Sequence, residues 1–137
     1  MYNKILVPMA LDHGISPQSL QVARVLAGGT GRIVALHVYE MPQGTVSAYV
    51  DEDVIKAGFA NAKTRMDEKL ADVEDVTPVL IQGHSARTII DYATDNAFDC
   101  IVIGSHKPGL SDFFLGSTAA RVVRHAPCAV HVVRDSA

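Results

Sequence analysis

The chain has 137 residues, 48% of them hydrophobic and 20% charged, with a formal net charge of −3. This composition fits a single packed domain over residues 1–137 and excludes a disordered chain, because globular domains cluster near ~100–150 residues. The acidic balance argues against nucleic acid as a partner. No apolar run reaches the ~18–20 residues of a membrane span, and no signal-peptide core follows Met1, so a cytoplasmic location without membrane contact is expected.

Taken in order, Lys4-Ile5-Leu6-Val7-Pro8 is a short apolar run stopped by proline and predicts a buried parallel strand. Ser16-Pro17 then pairs an N-cap with a proline at the first helical position, and Leu20, Ala23, Leu26 and Ala27 share one face of a helix ended by Gly28-Gly29. Arg32 to Val38 predicts the second strand, and Glu40 to Val50, with Pro42 and Gly44, a long loop. From Asp51 the spacing turns helical, with Ile55, Phe59, Ala62, Met66, Leu70 and Val73 on one side and Asp51, Glu52 and Asp53 suited to its N-terminus.

Thr77 to Ile81 predicts a third strand whose Pro78 places it at a sheet edge. Gly83-His84-Ser85 opens a helix with Ser85 expected as its cap, and Ile89, Ile90, Ala93 and Ala97 are expected to face inward. Cys100 to Ile103 predicts strand four, a helix starts at Ser117, and Ala129 to Val133 predicts strand five. Five strands alternating with four helices call for an α/β fold: a doubly wound, five-stranded parallel sheet with helices on both faces and the order 3-2-1-4-5. Ligands of such sheets bind outside the carboxyl ends of the strands where the order reverses, here between strands one and four.

The crossing from strand four, Gly104 to Thr118 (GSHKPGLSDFFLGST), carries the chemistry. A glycine at each end permits close backbone approach, and Ser117-Thr118 set hydroxyls and free N–H groups at a helix start, an arrangement that suits phosphate. The spacing matches neither GxxxxGK[ST] nor GxGxxG. Alternatively, the glycines only shape a sharp turn. Cys100 and Cys128 sit in apolar surroundings without CxxC spacing and read as small buried hydrophobes that adjacent strands could bring together. His13, His37, His84, His125 and His131 show no metal-ligand spacing, whereas His106 lies in the crossing, where a bond to phosphate or ribose competes with plain solvation. Of the carboxylates, Asp12 alone lies near the switch point. No nucleophile elbow, Cys–His arrangement or partnered base can be read, so no catalytic residue is expected. Phe113-Phe114-Leu115 is expected to pack down onto the sheet rather than form a partner-binding lip.

ILVP at the start, LHV in the second strand and IGSHKPGLSDFFLGSTAARVVRHAPCAVHVV at the end together give the chain a resemblance to the universal stress protein family. The nucleotide-binding branch of that family carries G-x2-G-x9-G-[S/T]. Gly104 and Gly116-Ser117 match its ends, while Lys107 stands at the second glycine and the loop is one residue shorter, similar to a subgroup with SHKP or SHRP loops. The resemblance implies a Rossmann-like, adenine nucleotide alpha hydrolase-like fold that binds ATP, or AMP or ADP, with or without Mg. It implies that Pro8, Met9 and Ala10 line adenine and ribose, that the Val38 backbone reads the adenine edge, and that Ile103 and Gly104 support the ribose and first phosphate. It further implies that Gly116, Ser117 and Thr118 hold the phosphates, with His106 beside them and Lys107 as a charge. Ala10 stands where many members carry aspartate and so offers no carboxylate. The implied function is an ATP-binding cytoplasmic stress-response regulator, a homodimer through the C-terminal strand whose nucleotide state tunes dimer shape or the choice of an unidentified protein partner. The alternatives are a structural dimer without nucleotide, and a weak ATPase or adenylyl-transfer enzyme.

Overall fold

The computed structural model describes residues 1–11, 15–40, 51–105 and 115–134. In chain order these form β1 (Lys4–Pro8), α1 (Pro17–Ala27), β2 (Arg32–Tyr39), α2 (Glu52–Lys69), β3 (Val76–Gln82), α3 (Ser85–Asp95), β4 (Cys100–Gly104), α4 (Ser117–His125) and β5 (Ala129–Val133). The sheet order is β3-β2-β1-β4-β5 with every pair parallel, as the alternating pattern predicts.

Alternation along the strands divides the core cleanly. Ile5, Val7, Ile33, Ala35, Cys100 and Val102 turn toward α1 and α2, where Leu20, Ala23, Ala62 and Met66 are buried. Leu6, Val34, Leu36, Ile101 and Ile103 turn the other way, onto Ile89, Ala93, Ala119 and Val122 of α3 and α4. Both faces of the central strands are dry, which is why their sequences read as continuous apolar runs rather than alternating ones.

Local signals explain the helix ends. Ser16 accepts a bond from the Ser19 N–H at 3.3 Å, Pro17 occupies the first turn, and Gly28 closes α1 in the left-handed region at φ 64°. Asp51 caps α2 through the Asp53 N–H at 3.0 Å. The expectation for α3 needs two corrections. Its N-cap is His84, which makes no side-chain cap bond, so Ser85 is the first helical residue rather than the cap. Ala97 does not face inward: the chain leaves the helix at Asn96, Ala97 takes φ 54° and is exposed, and Phe98 is the residue buried beyond the helix.

The cysteines lie on opposite faces of the sheet, Cys100 in the α1–α2 core and Cys128 against the α3–α4 core just before β5, and both thiols are free. Burial pushes the Cys100 thiol up to about 11, which suits an inert core residue.

Hydrogen-bond phase distinguishes the two sheet edges. The Gly83 N–H donates to the Tyr39 carbonyl, so Thr77, Val79 and Ile81 direct their backbone groups to β2 and the Pro78 nitrogen faces the open edge. On β5, the Val133 carbonyl accepts from the Ser105 N–H, which turns the Val130 and Val132 N–H groups outward.

Gly31 is where β2 starts beneath the end of α1. A Cβ there would stand 2.5 Å from the Tyr2 carbonyl oxygen and 3.0 Å from two carbons of Ala27. Backbone cannot yield as a flexible side chain does. Gly31→Ala is therefore predicted to destabilise the fold by about 1–3 kcal/mol, read as a lower urea midpoint; an unchanged midpoint would disprove this packing account.

Candidate functional site

The carboxyl ends of the strands and the amino ends of α3 and α4 meet at one end of the sheet, because every strand is parallel and every helix returns antiparallel to it. At the switch point, β1 ends at Pro8, paired with Leu36, and the Met9 N–H continues the contact by donating to the Leu36 carbonyl at 2.9 Å. The His37 ring lies 2.9 Å from the Met9 carbonyl through Nδ1. Since a carbonyl only accepts, Nδ1 carries the proton and the ring donates. A histidine read from sequence as simply packed or solvated thus fixes the path of the chain leaving β1.

On the other side of the switch, Gly104 ends β4 and is exposed. Its φ lies outside the left-handed region, and a Cβ added to it would meet no atom within 4 Å. Neither conformation nor packing by the described residues explains the glycine. The next residue, Ser105, is 2% exposed, and its carbonyl accepts the Gly116 N–H at 2.6 Å. That bond brings the start of α4 directly beside the end of β4. Gly116 is the N-cap of α4 and provides no side-chain cap bond, so among the described residues no capping side chain satisfies the first N–H groups of the helix, at Ser117 and Thr118.

α3 presents the opposite case. The Glu40 carboxylate, one residue past β2, accepts both the Ser85 N–H at 3.1 Å and the Ser85 hydroxyl at 2.7 Å. Those bonds, the hydroxyl first, hold the Glu40 carboxyl below its ordinary range. An internal anion therefore sits on the amino end of α3, 45 residues along the chain from its donor.

A cleft of about 370 Å³ opens between these two helix starts, lined by Glu40, His84, Ser85, Ala86, Arg87, Ser117, Thr118 and Arg121. Arg87 also pairs with Asp91 at 3.2 Å on the exposed side of α3. Of the residues expected at the site, the structure places Ser117 and Thr118 in this cleft. Pro8, Met9, Ala10, Ile103 and Gly104 stand at the strand ends outside its lining. Val38 lies two residues past the last β1–β2 pair and opposite Ile81 of β3, with its side chain buried. His106, Lys107, Asp12, Phe113 and Phe114 lie outside the described residues, while Leu115 packs against the α3–α4 core. Glu40, Ser85, Arg87 and Arg121 were missed as cleft residues. The one sequence signal for them was an acidic residue directly after a strand.

The family model for the universal stress protein family matches residues 1–134, nearly the whole chain. The chain belongs to the universal stress protein family. A Thermus aquaticus relative, named "universal stress protein in QAH/OAS sulfhydrylase 3'region", is 30% identical over 126 residues, spanning 90% of this chain and 91% of its own. The solved universal stress protein UspA from Lactobacillus plantarum is 27% identical, with 97% and 98% of the two chains covered and a TM-score of 0.74. A universal stress family protein from Arabidopsis thaliana, solved with AMP bound, shares the fold at a TM-score of 0.60 over 98% and 93% of the two chains, with 16% identity. Among the described residues of this universal stress protein, no group of three histidines, cysteines or carboxylates could hold a metal, and no helix is long and apolar enough to cross a membrane.

The Ser85–Glu40 contact makes a testable electrostatic statement. The folded-state pKa of Glu40 is lowered, so its stabilising contribution is present above the unfolded carboxylate pKa and lost as pH falls through the folded one. Ser85→Ala is predicted to raise the Glu40 pKa toward the ordinary carboxylate range and to shrink that acid-side loss. Carbon-detected NMR titration of the Glu40 carboxyl reads the shift, and an unmoved titration would show that the hydroxyl bond is not formed.

Proposed function

We propose that this universal stress protein binds an adenine nucleotide, ATP in the first place, at the carboxyl end of its sheet and acts as a regulator whose nucleotide state tunes self-association or partner choice. The observation that carries this reading is Gly104, a glycine that no described neighbour and no backbone angle requires, beside a helix start with no capping side chain. A nucleotide placed there would run its phosphates along the Ser117 and Thr118 N–H and hydroxyl groups, where the helix favours anions and where Arg121 adds positive charge. Pro8, Met9, Ala10 and the Val38 backbone would take the base and sugar, Ile103 and Gly104 would support the ribose and first phosphate, and His106 and Lys107 would lie beside the phosphates. The AMP bound to the Arabidopsis relative supports the ligand class. Magnesium would arrive with the phosphates rather than in a protein cage. No partnered base stands among the described residues of the cleft, so the proposed role is binding with slow or absent turnover.

The test separates folding from binding at one residue. Gly104→Ala should leave the unfolding midpoint within ~0.5 kcal/mol of wild type, because the methyl meets no described atom. The same change should weaken ATP by about tenfold in calorimetry, ~1.4 kcal/mol, by filling the approach to the phosphates. Equal ATP affinity in both proteins would overturn the site, and absence of any adenine nucleotide binding by the wild type would favour a structural role.

Self-association is proposed through β5, the edge whose Val130 and Val132 donors face outward, in antiparallel contact with the same strand of a second copy about a two-fold axis. Val132→Pro deletes an outward donor and leaves the β4 ladder bonds in place, so it should convert a dimer to monomer by light scattering with the helical circular dichroism retained. A wild type that is monomeric at high micromolar concentration with and without ATP would refute the dimer.

A further inference from the structure

Glu40 does more in the cleft than cap a helix. Both bonds from Ser85 fall on Oε1, and none from the described residues reaches Oε2. Among the described residues the carboxylate is therefore held by its first oxygen, while its second carries no bond and can accept one. It lines the same cleft as Ser117 and Thr118. A volume of about 370 Å³ falls at the lower end of small-molecule sites, which run ~300–1,000 Å³.

What such an acceptor takes follows from the other groups around it. Its own charge repels phosphate, and of the two arginines of the cleft, Arg87 and Arg121, the first pairs with Asp91 instead. A divalent cation would need more ligands than one carboxylate, and the described residues supply no cluster of three. Neutral O–H donors remain. Apart from the hydroxyls at the start of α4, the described residues assigned to the nucleotide are Pro8, Met9, Ala10, Val38, Ile103, Gly104 and Gly116, and none has a side-chain oxygen. In a nucleotide the donors nearest the phosphate-bearing carbon are the sugar hydroxyls, whereas the base edge lies farther away. A ligand with its phosphates on Ser117 and Thr118 would therefore bring its sugar, before its base, within the span of the same cleft.

We infer that Glu40 accepts the ribose hydroxyls of the bound nucleotide and makes the site select ribonucleotides over deoxyribonucleotides, an assignment that rests on the adenine-nucleotide reading above. Ser85 is the positioning residue: by occupying Oε1 through two bonds it fixes where Oε2 points. Preorientation lowers the ordering cost of the contact, and the pair lies at an exposed cleft, so the effect belongs at the modest end of charge-assisted hydrogen bonds.

Calorimetry with ATP, 2′-deoxy-ATP and 3′-deoxy-ATP on the full chain tests this, first on wild type and then on Glu40→Gln. Wild type should bind ATP about tenfold more tightly than at least one deoxy analogue, the size expected for one charge-assisted bond in a solvated cleft. Glu40→Gln keeps an oxygen for Ser85 but turns an amide donor to the ligand, so its preference should fall to about twofold or less while the deoxy analogue binds as in wild type. If wild type binds ATP and both analogues alike, or if Glu40→Gln keeps the full preference, the role of Glu40 is wrong and the nucleotide site stands. If wild type binds none of the three, the nucleotide reading itself fails and takes this assignment with it. Should Glu40→Gln not fold, the wild-type comparison with Glu40→Ala decides by the same criteria.

Discussion

The bond from the Gly116 N–H to the Ser105 carbonyl, 2.6 Å long, is the constraint on which the working end of this molecule depends. It joins the two ends of the connection between β4 and α4, so the amino end of α4 is set beside the end of β4. Ser105 is buried and its own N–H is spent on Val133 of β5. One residue thus holds β5, β4 and the start of α4 in a fixed relation. At the opposite end of the sheet the Asp99 carboxylate plays a comparable part, accepting the Asn3 and Lys4 N–H groups at 2.8 and 2.9 Å, while Lys4 Nζ donates to the Asn96 carbonyl. β1 and β4 are pinned below by these contacts and part above, where the chain order reverses.

Charge then distinguishes two helix starts that backbone geometry alone would make equivalent. Each presents unpaired N–H groups and the positive end of a helix dipole. At α3 the protein supplies its own anion from Glu40; at α4 it supplies a glycine and two hydroxyl-bearing residues. Among the described residues, a mobile anion entering the cleft would meet one neutralised terminus and one without a capping side chain. In the proposed complex that asymmetry, more than the shape of the walls, would orient the phosphates.

Much of the fold was legible because the physical signals were local. Apolar runs of four to five residues between capped amphipathic segments can be satisfied by little other than buried parallel strands, and Pro78 marked an edge correctly because a ladder cannot use its nitrogen. The errors arose where a distant residue took over a local role. Ser85 has the chemistry of a cap, yet a carboxylate from beyond β2 satisfies the helix start, and Ser85 moves inside. Ala97 fits the helical period, but the left-handed turn after Asn96 passes its buried place to Phe98. The cysteines are near in register, and only the pleat reveals that they face apart. At the site, Ser117 and Thr118 were legible as a contiguous helix start. The cleft around them was not, since it is assembled from the ends of three separate crossovers.

The two boundaries of the sheet differ in one nitrogen, and that difference sets the arithmetic of growth. A sheet with two receptive margins can add copies without limit, each addition exposing another margin, and the product is a fibre. Here the β3 margin has a gap in its row of donors at Pro78, whereas the β5 margin presents Val130 and Val132 without interruption. Once the receptive margin of one copy meets that of another, each copy has only its interrupted margin left. Pro78 thereby withholds a second receptive margin, so assembly through β5, as proposed, would close at two copies.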